Sequence, residues 1–220
     1  MIRLHILYIL CIMYLLFSEE VFALAKKQTN RQLRSEQTKL NLFNSAVGLL
    51  AEKPFEEITI REIVAKAGVS VGTFYNYYNT KMDVFYQAYN VADRYFADTV
   101  APQLKSGTAR ERIFLFFDYY ARYSSEISGL KLTRLLYSVD NPHFMRNAPN
   151  GMIDTLIGVL QYGLTTGEFI TRGDTVREMA DFFMICMRGV VYNWCTANGS
   201  YDLSSVISRF TSRALYAYQA

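Results

Sequence analysis

Thr59-Ile-Arg-Glu-Ile-Val-Ala-Lys-Ala-Gly-Val-Ser-Val-Gly-Thr-Phe-Tyr-Asn-Tyr-Tyr-Asn-Thr-Lys81 holds two helix starts, a glycine stop between them and a third start at its end. Thr59 is placed to cap a helix, and Glu62, three residues on, reaches back in the pattern of a capping box. Ile60, Ile63 and Val64 recur at helical spacing and give that helix one apolar face. Gly68 follows Ala67 where a helix ends in a left-handed residue, which glycine adopts without steric cost. Ser70 caps the next helix, and Thr80 with Asp83 repeats the device for the one after it. Two helices joined by a tight glycine turn form a helix-turn-helix, whose second member lies in the major groove of DNA.

The second helix, read as Val71 to Tyr78, sorts on a wheel at about 100° per residue. Val71, Phe74 and Tyr78 fall inward, toward the first helix and toward Phe43 and Val47. Gly72, Thr73, Asn76 and Tyr77 fall outward, with Tyr75 at the border. The outward side carries hydroxyls, an amide and a methyl group, which suit base edges: asparagine pairs with adenine, and a threonine methyl meets the thymine methyl. Gly72 lets the backbone approach the duplex. Arg61 and Lys81 are placed to hold phosphates, which fix register without reading sequence.

The same string closely resembles the tetracycline-repressor (TetR) family of transcriptional regulators, from about Leu40 to Tyr89. Further on, only the helical layout and a Trp-containing penultimate helix are similar. The resemblance implies a contact from Arg61, a phosphate anchor at Lys81, and DNA-facing positions at Val71, Gly72, Thr73, Tyr75 and Tyr77. Ser70 and Asn76 complete the expected DNA-facing set. Val71 departs from the family pattern in offering no polar group.

At 220 residues the chain has room for a small domain and a larger one. Helical spacing recurs and period-two alternation is scarce, so the expected class is all-α: a three-helix DNA-binding unit, then a larger helical ligand-binding and dimerisation domain. The net charge is +3, and residues 26–81 alone carry nine basic against five acidic residues. Positive charge on the DNA-reading segment suits a polyanion. Cys11, Cys186 and Cys195 make no disulfide framework, and His5 and His143 lack ligand-spaced neighbours, so no metal is expected. The motifs that mark phosphate-cradling loops or nucleophiles are missing too, so neither a cofactor nor a catalytic residue is expected.

Residues 1–25 read differently. Ile6 to Phe17 are an apolar run, Glu19 and Glu20 end it, and Ala23-Leu24-Ala25 mimics a signal-peptidase site. The run is short of the roughly 20 residues that span a bilayer. A start assigned too far upstream is the favoured explanation, with Val21, Leu24 and Leu33 as candidate starts. The alternative is a membrane-anchored sensor or interaction protein, and a third reading is a small-molecule-modifying enzyme on a borrowed helical fold.

The expected domains are an apolar leader (1–25), a DNA-binding unit (30–81) and an effector and dimerisation domain (82–220). Helices are expected at about 35–52, 81–100 (broken at Pro102), 109–127, 151–165, 175–197 and 203–218. The penultimate helix is apolar nearly all round, with Gly189 for close approach, and Leu203, Val206, Ile207 and Phe210 stripe the last one. This pair fits the family's four-helix dimer interface, so a homodimer reading a palindromic operator is expected in the cytoplasm. The aromatic run 113–123 implies, through the family, a cavity for a small hydrophobic or aromatic effector, with Phe117, Asp118, Arg122 and Trp194 as its residues.

Overall fold

The computed structural model describes residues 30–138, 141 and 151–220. The leader, Cys11, His5, His143 and most of the Asp140-Asn141-Pro142 turn lie outside the described residues. The described residues contain helices and a single isolated β-bridge, Phe169 to Gln219, and no strand. The chain divides into two compact units between Val91 and Ala92.

The first unit opens with α1 (Asn30–Glu52), which starts earlier than its expected Ser35. Leu42, Phe43, Ala46, Leu49 and Leu50 form its buried face. Pro54 heads a 3-10 turn, Phe55–Glu57, and α2 (Ile60–Ala67) follows behind the Thr59 cap. The capping box is complete: Glu62 N donates to Thr59 Oγ1 at 3.3 Å and Thr59 N to Glu62 Oε2 at 2.9 Å. Gly68 ends α2 at φ 69°, which only glycine takes cheaply. The next helix, α3 (Val71–Tyr75), is shorter than the sequence suggests. Asp83 then caps α4 (Lys81–Arg94) by accepting from Thr80 N and Asn79 N. Val84, Phe85 and Ala88 are buried, and Phe85 meets Phe55 edge-on at 5.5 Å. The early turns of α4 thus belong to the first unit, and the division falls after them rather than at Lys81.

The second unit begins inside α4, which continues as a π-helical turn (Tyr95–Val100) and one more α-turn (Ala101–Gln103). Pro102 therefore does not break the helix where the sequence suggests. It sits in the first positions of a fresh turn, where no N–H donor is needed. Then come α5 (Ala109–Arg122), a second π-helical turn (Tyr123–Ile127), α6 (Gly129–Leu136), α7 (Gly151–Thr165), α8 (Val176–Thr196) and α9 (Leu203–Leu215). Helix α5 packs on α7 and α9, while α8 packs on α6, α7 and α9. Each π-turn has a carbonyl met by a threonine hydroxyl from another helix. Thr155 Oγ1, whose main acceptor is Gly151 O at 2.5 Å, also reaches Phe96 O at 3.4 Å, and Thr133 Oγ1 donates to Ser124 O at 2.7 Å.

Helix α9 stops three residues before the expected Tyr218, because the chain turns there to pair with the loop before α8. Ile170 N donates to Tyr218 O at 2.8 Å, and Tyr218 Oη to Asp174 Oδ2 at 2.6 Å.

Candidate nucleic-acid interface and interior polar cluster

Helix α3 is held by one side chain. Phe74 is fully buried and packs tilted on Tyr78, with ring centroids 5.6 Å apart. Tyr78 is buried as well, and burial holds its phenol well above the usual tyrosine range. Around this anchor the remaining residues face out. Val71 is 40% and Tyr75 54% exposed, Gly72, Asn76 and Ser70 are exposed, and Thr73 and Tyr77 are half-exposed. The wheel was wrong to turn Val71 inward. Val71 opens a five-residue helix, and no preceding turn stacks over it. For Val71 and Tyr75 the expectation from the family resemblance describes the exposure correctly.

The electrostatics differ from the expectation at Lys81. Its ammonium donates to Phe55 O and Ile58 O at 2.7 Å each and to Glu56 O at 3.3 Å, and lies 4.2 Å from the centre of the Phe55 ring. Burial lowers its pKa from the usual lysine value, with Glu56 opposing. With its three donors engaged, Lys81 splints the turn before α2 rather than standing free for a phosphate. Other lysines of the unit are engaged as well: Lys39 with Glu36 at 3.0 Å, Lys66 with Glu52 at 2.9 Å, and Lys53 with Glu62. Lys53 and the Thr59 donors hold the Glu62 carboxyl down to about 2. Arg61 is exposed at the start of α2 and makes no ion pair among the described residues.

The four expected effector residues all make contacts within the chain. Asp118 and Arg122 pair with each other at 2.7 Å across one turn, on the outer side of α5. Arg122 is exposed and Asp118 half-buried, because that side of an amphipathic helix is its polar one. Trp194 donates its indole N–H to Tyr201 O at 3.1 Å, and its ring covers Gly199 in the turn before α9. It pins that turn. Phe117 is fully buried against Phe116 (5.0 Å) and Phe183 (5.9 Å), within the core.

The interior polar groups of this unit were missed. Tyr120 Oη is hydrogen-bonded to Tyr137 Oη, and the Arg188 guanidinium bonds to the same Tyr120 phenol. Ser124 donates to Tyr120 O at 2.9 Å. Desolvation outweighs Arg188 and keeps the Tyr120 phenol protonated to higher pH than usual. A wheel over α5 carries the signal, since Ile113, Phe117 and Tyr120 share one face while Asp118 and Arg122 fall opposite.

Helix α8 turns Phe182, Ile185, Gly189 and Tyr192 outward on one face, with Ile185 57% exposed. A methyl built on Gly189 meets nothing within 4 Å, so within the chain this glycine serves no close approach. The expected stripe on α9 splits: Leu203 and Ile207 are buried, whereas Phe210 is exposed.

Residues 42–88 match the family model for bacterial regulatory proteins of the tetR family. The chain carries a tetR-family domain. Over 169 residues it is 24% identical to the fatty acid metabolism regulator protein of Bacillus subtilis (strain 168), covering 74% of this chain and 87% of that one. Among solved structures, FadR of Bacillus subtilis in complex with stearoyl-CoA has a TM-score of 0.63 at 20% identity, over 80% of this chain and 96% of that one. FadR of Thermus thermophilus, a TetR-family transcriptional repressor in complex with lauroyl-CoA, has a TM-score of 0.66 at 21% identity, over 80% and 93%. The all-α fold is thus that of TetR-family regulators. No described helix is long and apolar enough to cross a membrane.

Proposed function

We propose that the chain is a dimeric DNA-binding transcriptional repressor, acting in the cytoplasm, that releases its operator when a fatty acyl-CoA binds the second unit. The observation that carries the DNA half is the outward edge of α3 within the tetR-family domain. Uncharged hydroxyl, methyl and amide groups face out while Phe74 and Tyr78 anchor the other side. Arg61, Ser70, Val71, Gly72, Thr73, Tyr75, Asn76 and Tyr77 form the proposed duplex-facing set, and Lys81 supports it from behind.

One such helix contacts too few bases for tight specific binding, so two copies reading half-sites are required. The outward face of α8, with Phe210 of α9, is the proposed self-association surface.

The effector class comes from the FadR relatives, whose structures hold stearoyl-CoA and lauroyl-CoA. The aromatic and aliphatic interior of the second unit suits an acyl chain, and the buried Tyr120 with the half-exposed Tyr137 and Arg188 beside it are the groups suited to a polar portion. Such a ligand releases DNA only by binding the free form more tightly than the DNA-bound form.

The test selects duplexes from a random library and measures affinity with and without long-chain acyl-CoA, with coenzyme A and free fatty acid as controls. The expected result is a palindromic site whose binding is weakened by acyl-CoA alone. Binding that is indifferent to acyl-CoA refutes the effector; binding without sequence preference refutes the regulator.

A further inference from the structure

Helix α4 meets α7 at one point with nothing to cushion it. A methyl built on Gly151, the first residue of α7, would collide with the Asp93 carbonyl and lie 2.7 Å from Ala97 Cβ. The backbone of α7 therefore rests directly on that of α4, and the Met152 N–H donates to the Asp93 carboxyl beside it. A shift at the start of α7 reaches α4 at once, because no side chain stands between them to absorb it.

Just past this contact α4 is least regular. The π-turn Tyr95–Val100 lies in line with the helix, since Arg94 before it and Ala101 after it both keep right-handed helical backbone. Its inner side is held by ring contacts, Tyr95 to Tyr123 and Phe96 to Phe116, each at 5.1 Å. Its outer side is looser. Ala97 and Asp98 are exposed, and Pro102 has no N–H to give the carbonyl of Asp98, four residues before it. Phe96 O takes the Ala101 N–H, while the Thr155 hydroxyl that reaches it at 3.4 Å is spent mainly on Gly151 O.

The second π-turn is a contrast. Gly129 follows it at φ 72° and ends the helix. Its carbonyls are firmly met, Tyr123 O by Ser128 N at 2.8 Å and Ser124 O by Thr133 Oγ1 at 2.7 Å. One π-turn closes a helix; the other interrupts one, and mid-helix irregularities of that kind mark functional hinges.

We propose that Tyr95–Val100 is a joint that passes effector binding along α4: the start of α7 pushes at Asp93, and α4 yields at the π-turn. The early turns of α4, with Val84, Phe85 and Ala88 buried, belong to the DNA-reading unit, so movement of this helix reaches it through the chain itself. This inference rests on the reading of the chain as a repressor released by acyl-CoA, and it adds the residues that carry the signal.

The experiment uses the full chain and the duplex selected from the random library, with affinity measured without acyl-CoA and at saturating acyl-CoA. The ratio of the two is the coupling, typically about 5–150-fold. Pro102→Ala adds a backbone donor at an exposed position and firms the joint. It should leave binding without acyl-CoA unchanged and cut the coupling about fivefold, the weight of one net hydrogen bond. Gly151→Ala makes the push permanent and should weaken duplex binding about fivefold or more with no effector present. Pro102→Ala in the same chain should restore most of that loss, a repair that simple damage at Gly151 would not show.

A Pro102→Ala chain with the parent's coupling overturns the joint, whether or not Gly151→Ala folds. So does a Gly151→Ala chain that binds as the parent does, or one whose loss Pro102→Ala leaves untouched. A parent chain indifferent to acyl-CoA overturns the release reading itself and the joint with it, and the parent alone reveals that failure.

Discussion

Replacing Lys81 by methionine separates two roles for one ammonium group. In the structure it bridges Phe55 O and Ile58 O at 2.7 Å and touches the Phe55 ring. A hydrogen bond to a charged group contributes about 1.5–3 kcal/mol when well shielded, and an exposed cation–π contact about 0.5–1. Here the side chain is only partly buried, so water replaces part of what is lost, and methionine keeps the aliphatic stem. The balance is about 2 kcal/mol. In a domain of this size each kcal/mol moves the midpoint by about 4–8 °C, so the DNA-reading unit should melt about 8–15 °C lower. Circular dichroism gives the midpoint, and hydrogen exchange at residues 55–58 shows whether the turn loosens. Below the melt, the dependence of duplex affinity on salt should keep its slope. An unchanged midpoint with a slope shallower by about one would refute the argument, because it would put the ammonium on a phosphate.

Other outcomes can be checked independently. Phe74→Ala removes the fully buried ring that anchors α3 and should cost about 3–5 kcal/mol, read as loss of the first unit's transition while the second unit's persists. Tyr75→Ala removes an exposed ring, so stability should hold within about 0.5 kcal/mol, while specific but not random duplex binding weakens. Asp93, half-buried beside the start of α7, has its carboxyl pushed up to about 6, chiefly by desolvation. An acid whose folded pKa is raised lowers stability as pH climbs from about 4 to 6, and the penalty is complete above that. At about 1.4 kcal/mol per pH unit, halved for solvent on one side, Asp93→Asn should stabilise the second unit by about 1–2 kcal/mol at pH 7.5. The gain should vanish by pH 4 in denaturant titrations; equal gain at both pH values would refute it.

The sequence made the caps and helix ends of the first unit legible because each is a local event. Thr59 with Glu62, Gly68, Ser70 and Asp83 all act within four residues. The recognition face was half legible. The wheel assumed two full turns, and the short α3 leaves Val71 with no neighbour to bury it. The carbonyl contacts of Lys81 were illegible for another reason: its partners lie more than twenty residues upstream, and no local pattern announces a lysine that will meet backbone carbonyls. Trp194 and the Asp118–Arg122 pair were chosen for chemistry rather than for facing. A helical wheel over α5 places the pair on the outer side and Tyr120 on the inner one. The π-turns left no trace in the periodicity.

Those two π-turns have a consequence for chain length. Each holds one residue more than an α-helix would need to cover the same rise, and the excess is confined to a single turn. Removing one residue within 95–100 should therefore let that stretch relax to ordinary α-helix, leaving everything downstream in its original orientation. The same deletion in the middle of α8, where no slack is stored, would rotate every following side chain by about 100° and scramble the core.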